Sequence, residues 1–167
     1  MDTSTPAAIR DTHPRTEATN LVPISGLLSY QLSRVANALS RSATVRYRRQ
    51  FDVSLGEWRA IALLGESAPQ TLNRLARLAA LDKAQMSRVI SGLTERGFVL
   101  REQGPRRTTQ LSLTRRGKTL YEGLITAANE RNDAFLVCLT PEERVALDAA
   151  LEKLATLARA LERSESA

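Results

Sequence analysis

Apolar residues recur every three or four positions near the start of the chain, between stretches of polar residues. This spacing places them on one face and predicts a helix from residue 24 to about residue 50. The positions that carry the pattern are Ile24, Leu27, Leu28, Leu32, Val35 and Leu39. Residues 1–20, which come before it, are polar and predict a flexible arm.

Capping residues divide the following segment into shorter helices. Ser54 followed by Glu57 is a capping-box pattern, so a second helix is expected to begin there. Gly65 is its expected stop, because glycine is favoured just beyond the end of a helix. Thr71 then predicts the start of a third helix of about two turns.

A fourth helix and two strands come next. Asp82 and Gln85 repeat the capping pattern after a tight break, and Gly97 marks the expected end of the helix. Its inner, apolar face consists of Met86, Val89, Ile90 and Leu93. Strands are predicted around residues 98–102 and 108–114, joined by a Gly-Pro turn. Two helices joined by a tight turn and followed by a hairpin predict a winged helix-turn-helix.

Two long helices are predicted in the last third of the chain. Thr114 is the expected cap of the fifth helix, and Thr140 followed by Pro141 and Glu143 is a strong start signal for the sixth. In the sixth helix, leucine and alanine residues follow a seven-residue repeat, which suits packing against a partner helix. These residues are Leu147, Leu151, Leu154, Ala158 and Leu161.

The predicted fold class is mainly α with a small β-hairpin wing, a winged helix-turn-helix combined with a helical dimerisation region. We expect a flexible N-terminal arm at residues 1–20. The dimerisation region is expected to comprise residues 21–52 and 119–165. The DNA-binding domain is expected to comprise residues 53–118.

Charge is distributed unevenly along the chain, whose net charge is +6. Residues 71–120 contain eleven Lys or Arg and three Asp or Glu, whereas residues 121–167 contain five basic and nine acidic residues. Positive charge concentrated in one segment favours a polyanionic partner, although a solvated basic surface has the same composition. Because this segment contains the helix-turn-helix, double-stranded DNA is the expected partner.

The outer face of the fourth helix carries side chains that could contact bases and phosphates in the major groove. The candidates on and near this helix are Thr71, Lys83, Ala84, Gln85, Ser87 and Arg88. At the hairpin tip, Arg106 and Arg107 could enter the minor groove, where negative potential is concentrated. Arg115 and Arg116, in the first turn of the fifth helix, could bind a phosphate.

Other classes of function find little support in the residues. The chain has one cysteine, Cys138, and one histidine, His13, so an internal disulfide is impossible and a zinc site of Cys and His has too few ligands. We expect no metal or cofactor. No Ser/His/Asp set or Gly-rich phosphate loop is present, so the chain is not expected to be an enzyme. Without a long apolar segment or a signal core, it is expected to be cytoplasmic.

The central motifs resemble those of the MarR family of bacterial transcriptional regulators, and the resemblance covers about residues 24–162. The recognition-helix pattern is matched by Leu81, Asp82, Ser87 and Arg88, and the Glu-Arg-Gly that follows it by Glu95, Arg96 and Gly97. The wing pattern is matched by Arg106, Arg107, Leu111, Leu113 and Thr114. Pro105 replaces the aspartate that usually precedes the two arginines, which affects the expected wing geometry.

This resemblance implies a homodimer, with the first and last helices of both chains interleaved. Together with the helix-turn-helix, it implies a repressor of a pseudo-palindromic operator, released by a small anionic aromatic effector such as an aromatic acid or its CoA thioester. In the family, the effector pocket lies between the dimer helices and the DNA-binding domain. The residues expected there are Ser29, Arg34, Asn37, Arg46, Tyr47 and Trp58.

Two alternatives remain from the sequence. One is an architectural DNA-binding protein without an effector, which would share every DNA-facing feature. The other is a thiol-based redox sensor that acts through Cys138. Because Cys138 lies between Val137 and Leu139, it is expected to be a buried packing residue.

Overall fold

The structure is a computed structural model that describes residues 21–105 and 108–165. The predicted arm and the wing-tip residues Arg106 and Arg107 therefore lie outside the described residues. After a short 3-10 helix at Ile24–Gly26, the elements are α1 (Leu28–Phe51), α2 (Leu55–Glu66), α3 (Leu72–Leu78), α4 (Lys83–Glu95), β1 (Val99–Gln103), β2 (Thr109–Leu113), α5 (Arg115–Leu136) and α6 (Pro141–Glu165). The predicted fold class, mainly α with a two-stranded wing, is confirmed.

The first helix begins later than its apolar pattern predicts. Residues 24–26 form the 3-10 helix, and Leu27 has an extended backbone with φ −69° and ψ 130°. The prediction of a continuous helix from residue 24 was therefore wrong by four residues. Gly26 lies at the interruption, and glycine weakens a helix because it loses the most backbone freedom on folding.

The predicted caps are confirmed wherever a short polar side chain precedes a helix. The Ser54 hydroxyl accepts a hydrogen bond from the Glu57 amide at 3.2 Å, and the Glu57 carboxylate accepts one from the Ser54 amide at 2.7 Å. Thr140 and Glu143 form the same reciprocal pair at the start of α6. The first helical turns of α2 and α6 are thus fixed by local residues.

Gly65 does not stop α2 as predicted, because the helix continues through it to Glu66 and Ser67 is the C-cap. The reason lies in packing against α5. A Cβ placed on Gly65 would lie 2.6 Å from the Tyr121 ring. Gly65 therefore provides space for an aromatic side chain and does not supply a left-handed turn.

The turn between α3 and α4 is compact. Ala80 has a positive φ of 53°, and the Leu81 amide donates to the Ala76 carbonyl at 3.0 Å. The Asp82 carboxylate then accepts from the Gln85 amide at 2.7 Å and caps α4. At the other end of α4, Gly97 has φ 74°, which confirms its predicted role as the end signal.

The wing is an antiparallel pair in which Val99 lies opposite Leu113 and Gln103 lies opposite Thr109. Gln70, between α2 and α3, pairs with Leu111 through two backbone hydrogen bonds of 3.0 and 2.8 Å. This bridge attaches β2 to the helix-turn-helix. The wing is therefore continuous with the domain that carries α4.

The core lies among α2, α3, α4, the wing and parts of α1 and α5. Its fully buried members include Tyr47, Ile61, Leu64, Leu75, Met86, Ile90, Leu93, Leu111 and Leu124. Val89, predicted on the inner face of α4, is only partly buried. No residue of α6 is buried. Among the described helices, none has the length and hydropathy needed to cross a membrane.

Candidate nucleic-acid interface and effector region

Helix α4 has one anchored face and one exposed face. Met86, Ile90 and Leu93 are completely buried on the inner side. On the outer side, the predicted contact residues Lys83, Ala84, Gln85 and Arg88 are exposed, and Ser87 is half-buried. A short helix held by three buried side chains can offer its polar side to a groove without rearranging.

The C-terminal end of α4 is held by an ionic contact that the sequence analysis did not identify. Arg96 donates from Nη1 to Glu57 Oε1 and from Nη2 to the Asp52 carbonyl, both at 2.9 Å. Its guanidinium also lies 5.1 Å from the centre of the Phe98 ring. Arg96 was recognised only as part of the Glu-Arg-Gly motif, and nothing local indicated its partners.

The wing is joined to α4 by Arg101, which was also missed. Its Nη2 donates to Ser91 Oγ at 3.0 Å and its Nε donates to Thr94 Oγ1 at 3.4 Å. At the turn, the Gly104 amide donates to the Thr108 carbonyl at 2.7 Å. The wing and α4 are thus linked by side-chain hydrogen bonds as well as by the polypeptide backbone.

The other predicted DNA-contact residues, Thr71, Arg115 and Arg116, differ in the contacts that they make within the chain. Thr71 is half-buried, and its hydroxyl accepts from the Arg74 amide at 3.4 Å, so it serves as the cap of α3. Arg116 donates to the Arg96 carbonyl at 3.2 Å and lies 4.8 Å from the Phe98 ring centre, whereas Arg115 is simply exposed. Arg116 therefore braces the junction between α4 and β1.

The predicted effector residues fall into two groups. Ser29, Arg34 and Asn37 are exposed on the first part of α1. Tyr47 is buried, and its ring centre lies 5.2 Å from that of Trp58, which is partly buried. These two aromatic rings are the part of the predicted effector set that the structure brings into contact.

Arg46, the remaining effector candidate, is already engaged. Its guanidinium forms an ion pair with Glu130 and donates from Nε to Gln50 Oε1 at 3.0 Å. The Arg131 guanidinium lies 5.6 Å from the Tyr47 ring centre and 5.1 Å from that of Phe135. An anion that used Arg46 would have to displace the Glu130 carboxylate.

A shallow hollow of about 390 Å³ lies against Trp58, between α2 and the end of α3. Its lining is apolar apart from Arg59, whose Nη1 donates to the Ala79 carbonyl at 3.3 Å. The residues around it are Trp58, Arg59, Ala62, Leu63, Leu78, Ala79 and Ala80. Arg59 was not among the predicted residues, because its position beside Ala79 depends on the packing of α2 against α3.

Residues 53–106 match the family model described as MarR family. The structure is similar to a MarR/EmrR family transcriptional regulator from Acinetobacter sp. ADP1, with 26% identity, a TM-score of 0.77, and coverage of 83% of this chain and 99% of that one. It is also similar to the MarR family regulator SPO1453 from Silicibacter pomeroyi DSS-3, with 28% identity, a TM-score of 0.70, and coverage of 80% and 98%. The chain is therefore similar to MarR-family regulators, both in residues 53–106 and in its fold.

This similarity supports a DNA-binding transcriptional regulator. A more distant structure, that of the S. aureus MepR–DNA complex, is 19% identical, covers 78% of this chain and 95% of that one, and has a TM-score of 0.69. At that identity the likeness shows the fold alone. No curated protein matches the chain significantly.

Cys138 is exposed, so the prediction of a buried packing residue was wrong. It lies just beyond α5, after the exposed C-cap Val137, and its Sγ donates to the Phe135 carbonyl at 3.0 Å. The apolar neighbours in the sequence do not bury it, because no described residue beyond Ala127 is a buried member of the core. Within residues 21–105 and 108–165, no group of three or more His, Cys, Asp or Glu could hold a metal ion.

Proposed function

We propose that the chain is a homodimeric, ligand-responsive repressor that binds a pseudo-palindromic operator and is released by a small anionic aromatic effector. The observation that carries the proposal is the exposed polar face of α4, on which Lys83, Gln85 and Arg88 project from a helix anchored by buried apolar residues. Such a face can contact base edges and phosphates at once.

Homodimer formation is supported by the apolar surface of α6. Leu147, Leu151, Leu157 and Leu161 expose between 42% and 57% of their surface, and the helix has 25 residues, none of them buried. Exposed apolar patches of this kind mark interaction sites. The seven-residue repeat in α6 suits a second helix of the same type, and a second copy of the chain supplies one.

A two-fold dimer presents two copies of α4, one to each half of an operator. The half-sites are then related by the same two-fold axis, which predicts a pseudo-palindrome with centres about one helical turn apart. The wing strands and the Arg106–Arg107 tip would add contacts on the flanking DNA.

The effector proposal is supported by the hollow beside Trp58. An aromatic ring would lie against the apolar surface of Trp58, Leu63 and Leu78. The guanidinium of Arg59, at the edge of the hollow, offers a partner for a carboxylate. The ion pair between Arg46 and Glu130 makes Arg46 a weaker candidate for that role.

Release of DNA would follow from a shift between two distances that separate the two copies of α4 in the dimer. An effector displaces DNA only to the extent that it binds more tightly to the spacing that does not match successive major grooves. The expected coupling is therefore reciprocal, so operator DNA should weaken effector binding by the same factor.

The DNA proposal is tested by gel shifts on the promoter adjacent to the gene, with an excess of nonspecific competitor. Lys83→Ala combined with Arg88→Ala should weaken specific binding by at least about tenfold, because each lost contact costs about 1–3 kcal/mol. Arg163→Ala removes a basic residue from the last turn of α6 and serves as the control. Equal affinities of the wild type, the double variant and the control would refute the proposal that the exposed face of α4 contacts DNA.

The effector proposal is tested by thermal shift with benzoate, hydroxycinnamates and their CoA thioesters, followed by gel-shift release of bound DNA. An active compound should raise the melting temperature and release the operator, and Arg59→Gln should reduce both effects. If no compound does either, the architectural alternative is favoured. Release by peroxide that is lost in Cys138→Ser would instead favour the redox alternative.

A further inference from the structure

The side of the wing that faces the core carries a charged residue beyond its buried ones. Val99 and Leu111 are buried on this side, and Arg101 lies opposite Leu111 in the hairpin. Directly opposite residues of an antiparallel pair project to the same face, so Arg101 shares the face of these apolar residues. It is nevertheless exposed. Its side chain therefore emerges from the core side of the wing, next to α4.

The Arg101 side chain is held in place by two hydroxyl groups of α4. Its Nη2 donates to Ser91 Oγ at 3.0 Å, and its Nε donates to Thr94 Oγ1 at 3.4 Å. The Thr94 hydroxyl is itself oriented, since it donates to the Ile90 carbonyl at 2.8 Å. A guanidinium has more N–H donors than these two acceptors engage, so the N–H groups of Nη1 are available for another acceptor.

The charge of Arg101 is not compensated by a carboxylate. Arg96, the C-cap of α4, forms an ion pair with Glu57. Among the residues that the structure describes, no carboxylate forms such a pair with Arg101. Glu102, its neighbour in the sequence, projects from the opposite face of the strand. A guanidinium that is fixed in place but not neutralised favours an anionic ligand, and its planar fork suits the oxygens of a phosphate.

The position of Arg101 matches the path of a DNA strand in the proposed complex. In that complex α4 lies in the major groove and the wing tip lies in the neighbouring minor groove. One sugar-phosphate backbone separates these two grooves, so its phosphates pass between α4 and the wing. Arg101 reaches from the wing to Ser91 at this place. Arg88, which is exposed three residues before Ser91, lies on the same side of α4 and adds positive charge there.

We propose that Arg101 binds a backbone phosphate of the operator, on the strand between the major and minor grooves. This inference rests on the proposed DNA-binding function and adds a contact to those of α4, the wing tip and α5. The N–H groups of Nη1 donate to the phosphate oxygens, while Nε and Nη2 stay bonded to Thr94 and Ser91. Because the hydroxyls hold the side chain before DNA arrives, little side-chain freedom is lost on binding. The contact fixes the wing on the strand and does not read the base sequence.

The test is the salt dependence of DNA affinity, measured by fluorescence anisotropy with the full chain and a labelled duplex of the promoter adjacent to the gene. Arg101→Gln should lower the slope of log affinity against log salt by about 0.9, because one phosphate contact no longer releases a counterion. A duplex of scrambled sequence should lose affinity by a similar factor, since every sequence has the phosphate. Arg101→Lys retains the charge and should keep the wild-type slope.

The matched control is Arg163→Gln, which removes the same charge from the last turn of α6 and should leave the slope unchanged. If Arg101 only braces the wing, Arg101→Gln will keep the wild-type slope, and that result overturns the proposal. An equal loss of slope in Arg163→Gln also overturns it, because the effect would then come from net charge.

A second measurement changes the DNA instead of the protein. Single neutral methylphosphonate linkages are placed in turn along the promoter duplex. One of them should weaken binding of the wild type but not of Arg101→Gln, since the two changes remove the same contact. If every linkage weakens both proteins equally, Arg101 does not bind a phosphate. A wild type that binds no duplex would refute the regulator function itself, whereas normal promoter binding with these negative results refutes only the Arg101 contact.

Discussion

Arg96 and Glu57, 39 residues apart in the chain, meet through a hydrogen bond of 2.9 Å between Nη1 and Oε1. The second oxygen of the same carboxylate accepts from the Ser54 amide at 2.7 Å. One side chain therefore caps α2 and holds the C-terminal end of α4. The pair is only partly exposed, at 33% for Arg96 and 15% for Glu57, so water screens it less than an ordinary surface pair.

Arg96→Ala should lower the free energy of unfolding by about 1–3 kcal/mol, because it removes charge-assisted hydrogen bonds to Glu57 and Asp52. Urea denaturation followed by circular dichroism measures the change. Arg88→Ala, on the exposed face of α4, should change stability by less than about 0.5 kcal/mol while weakening DNA binding. Equal stability of the two variants would contradict a structural role for the Arg96–Glu57 pair.

Affinity for the operator should fall steeply with salt, and Lys83→Ala should reduce that dependence. A residue that contacts a phosphate releases counterions on binding, so its loss lowers the slope of log affinity against log salt by about 0.9. Fluorescence anisotropy between about 50 and 200 mM salt measures the slope. Gln85→Ala should weaken binding without changing the slope, since an uncharged side chain releases no counterion. If both variants kept the wild-type slope, Lys83 would not contact a phosphate.

Gly117→Ala should destabilise the protein by about 1–3 kcal/mol, because the new Cβ would overlap the Phe98 carbonyl oxygen and force α5 away from the wing. Gly92→Ala is the matched control, since no atom lies within 4 Å of the Cβ that it adds in α4. The control should raise stability by about 0.5–1 kcal/mol through helix propensity. Thermal melts should show a lower melting temperature for Gly117→Ala and a higher one for Gly92→Ala. A loss of stability in Gly92→Ala would contradict the packing described for α4.

Ala80→Gly should stabilise the turn before α4 by about 0.5–1 kcal/mol. Ala80 has φ 53°, a left-handed conformation that costs an alanine more than it costs a glycine. Ala149→Gly, at an exposed position within α6, should instead lower stability by up to about 1 kcal/mol. Opposite shifts in the urea midpoint are expected, and a loss of stability in Ala80→Gly would show that this backbone conformation is not strained.

The starts of the helices could be predicted from the sequence because the interactions that fix them are local. Ser54 with Glu57, and Thr140 with Glu143, need only each other and the amides between them. The contacts of Arg96 could not be predicted in this way, since its partners lie about 40 residues earlier and the position of α2 beside α4 must be known first. Gly65 was misread for the same reason, because Tyr121 comes from α5.

The exposure of Cys138 illustrates a related limit. Its neighbours Val137 and Leu139 make it look like a core residue, but burial depends on which elements cover the end of α5. The exposed side of α4 was easier to predict, since an amphipathic helix reveals its exposed face through periodicity alone. The sequence therefore predicted which residues of α4 are exposed better than it predicted the contacts that hold the helix in place.

Leu151→Glu should prevent association of two copies through α6. Leu151 is 44% exposed and is one of the positions of the seven-residue repeat, so a charge there would be buried without a partner in the proposed dimer. Sedimentation equilibrium should give the mass of one chain for this variant and of two chains for the wild type. Ala149→Glu, on the opposite side of the same helix, adds the same charge and should remain dimeric. A monomeric wild type, or a dimeric Leu151→Glu variant, would exclude α6 as the dimer interface. Operator binding by a monomer at full affinity would exclude recognition by a two-fold dimer.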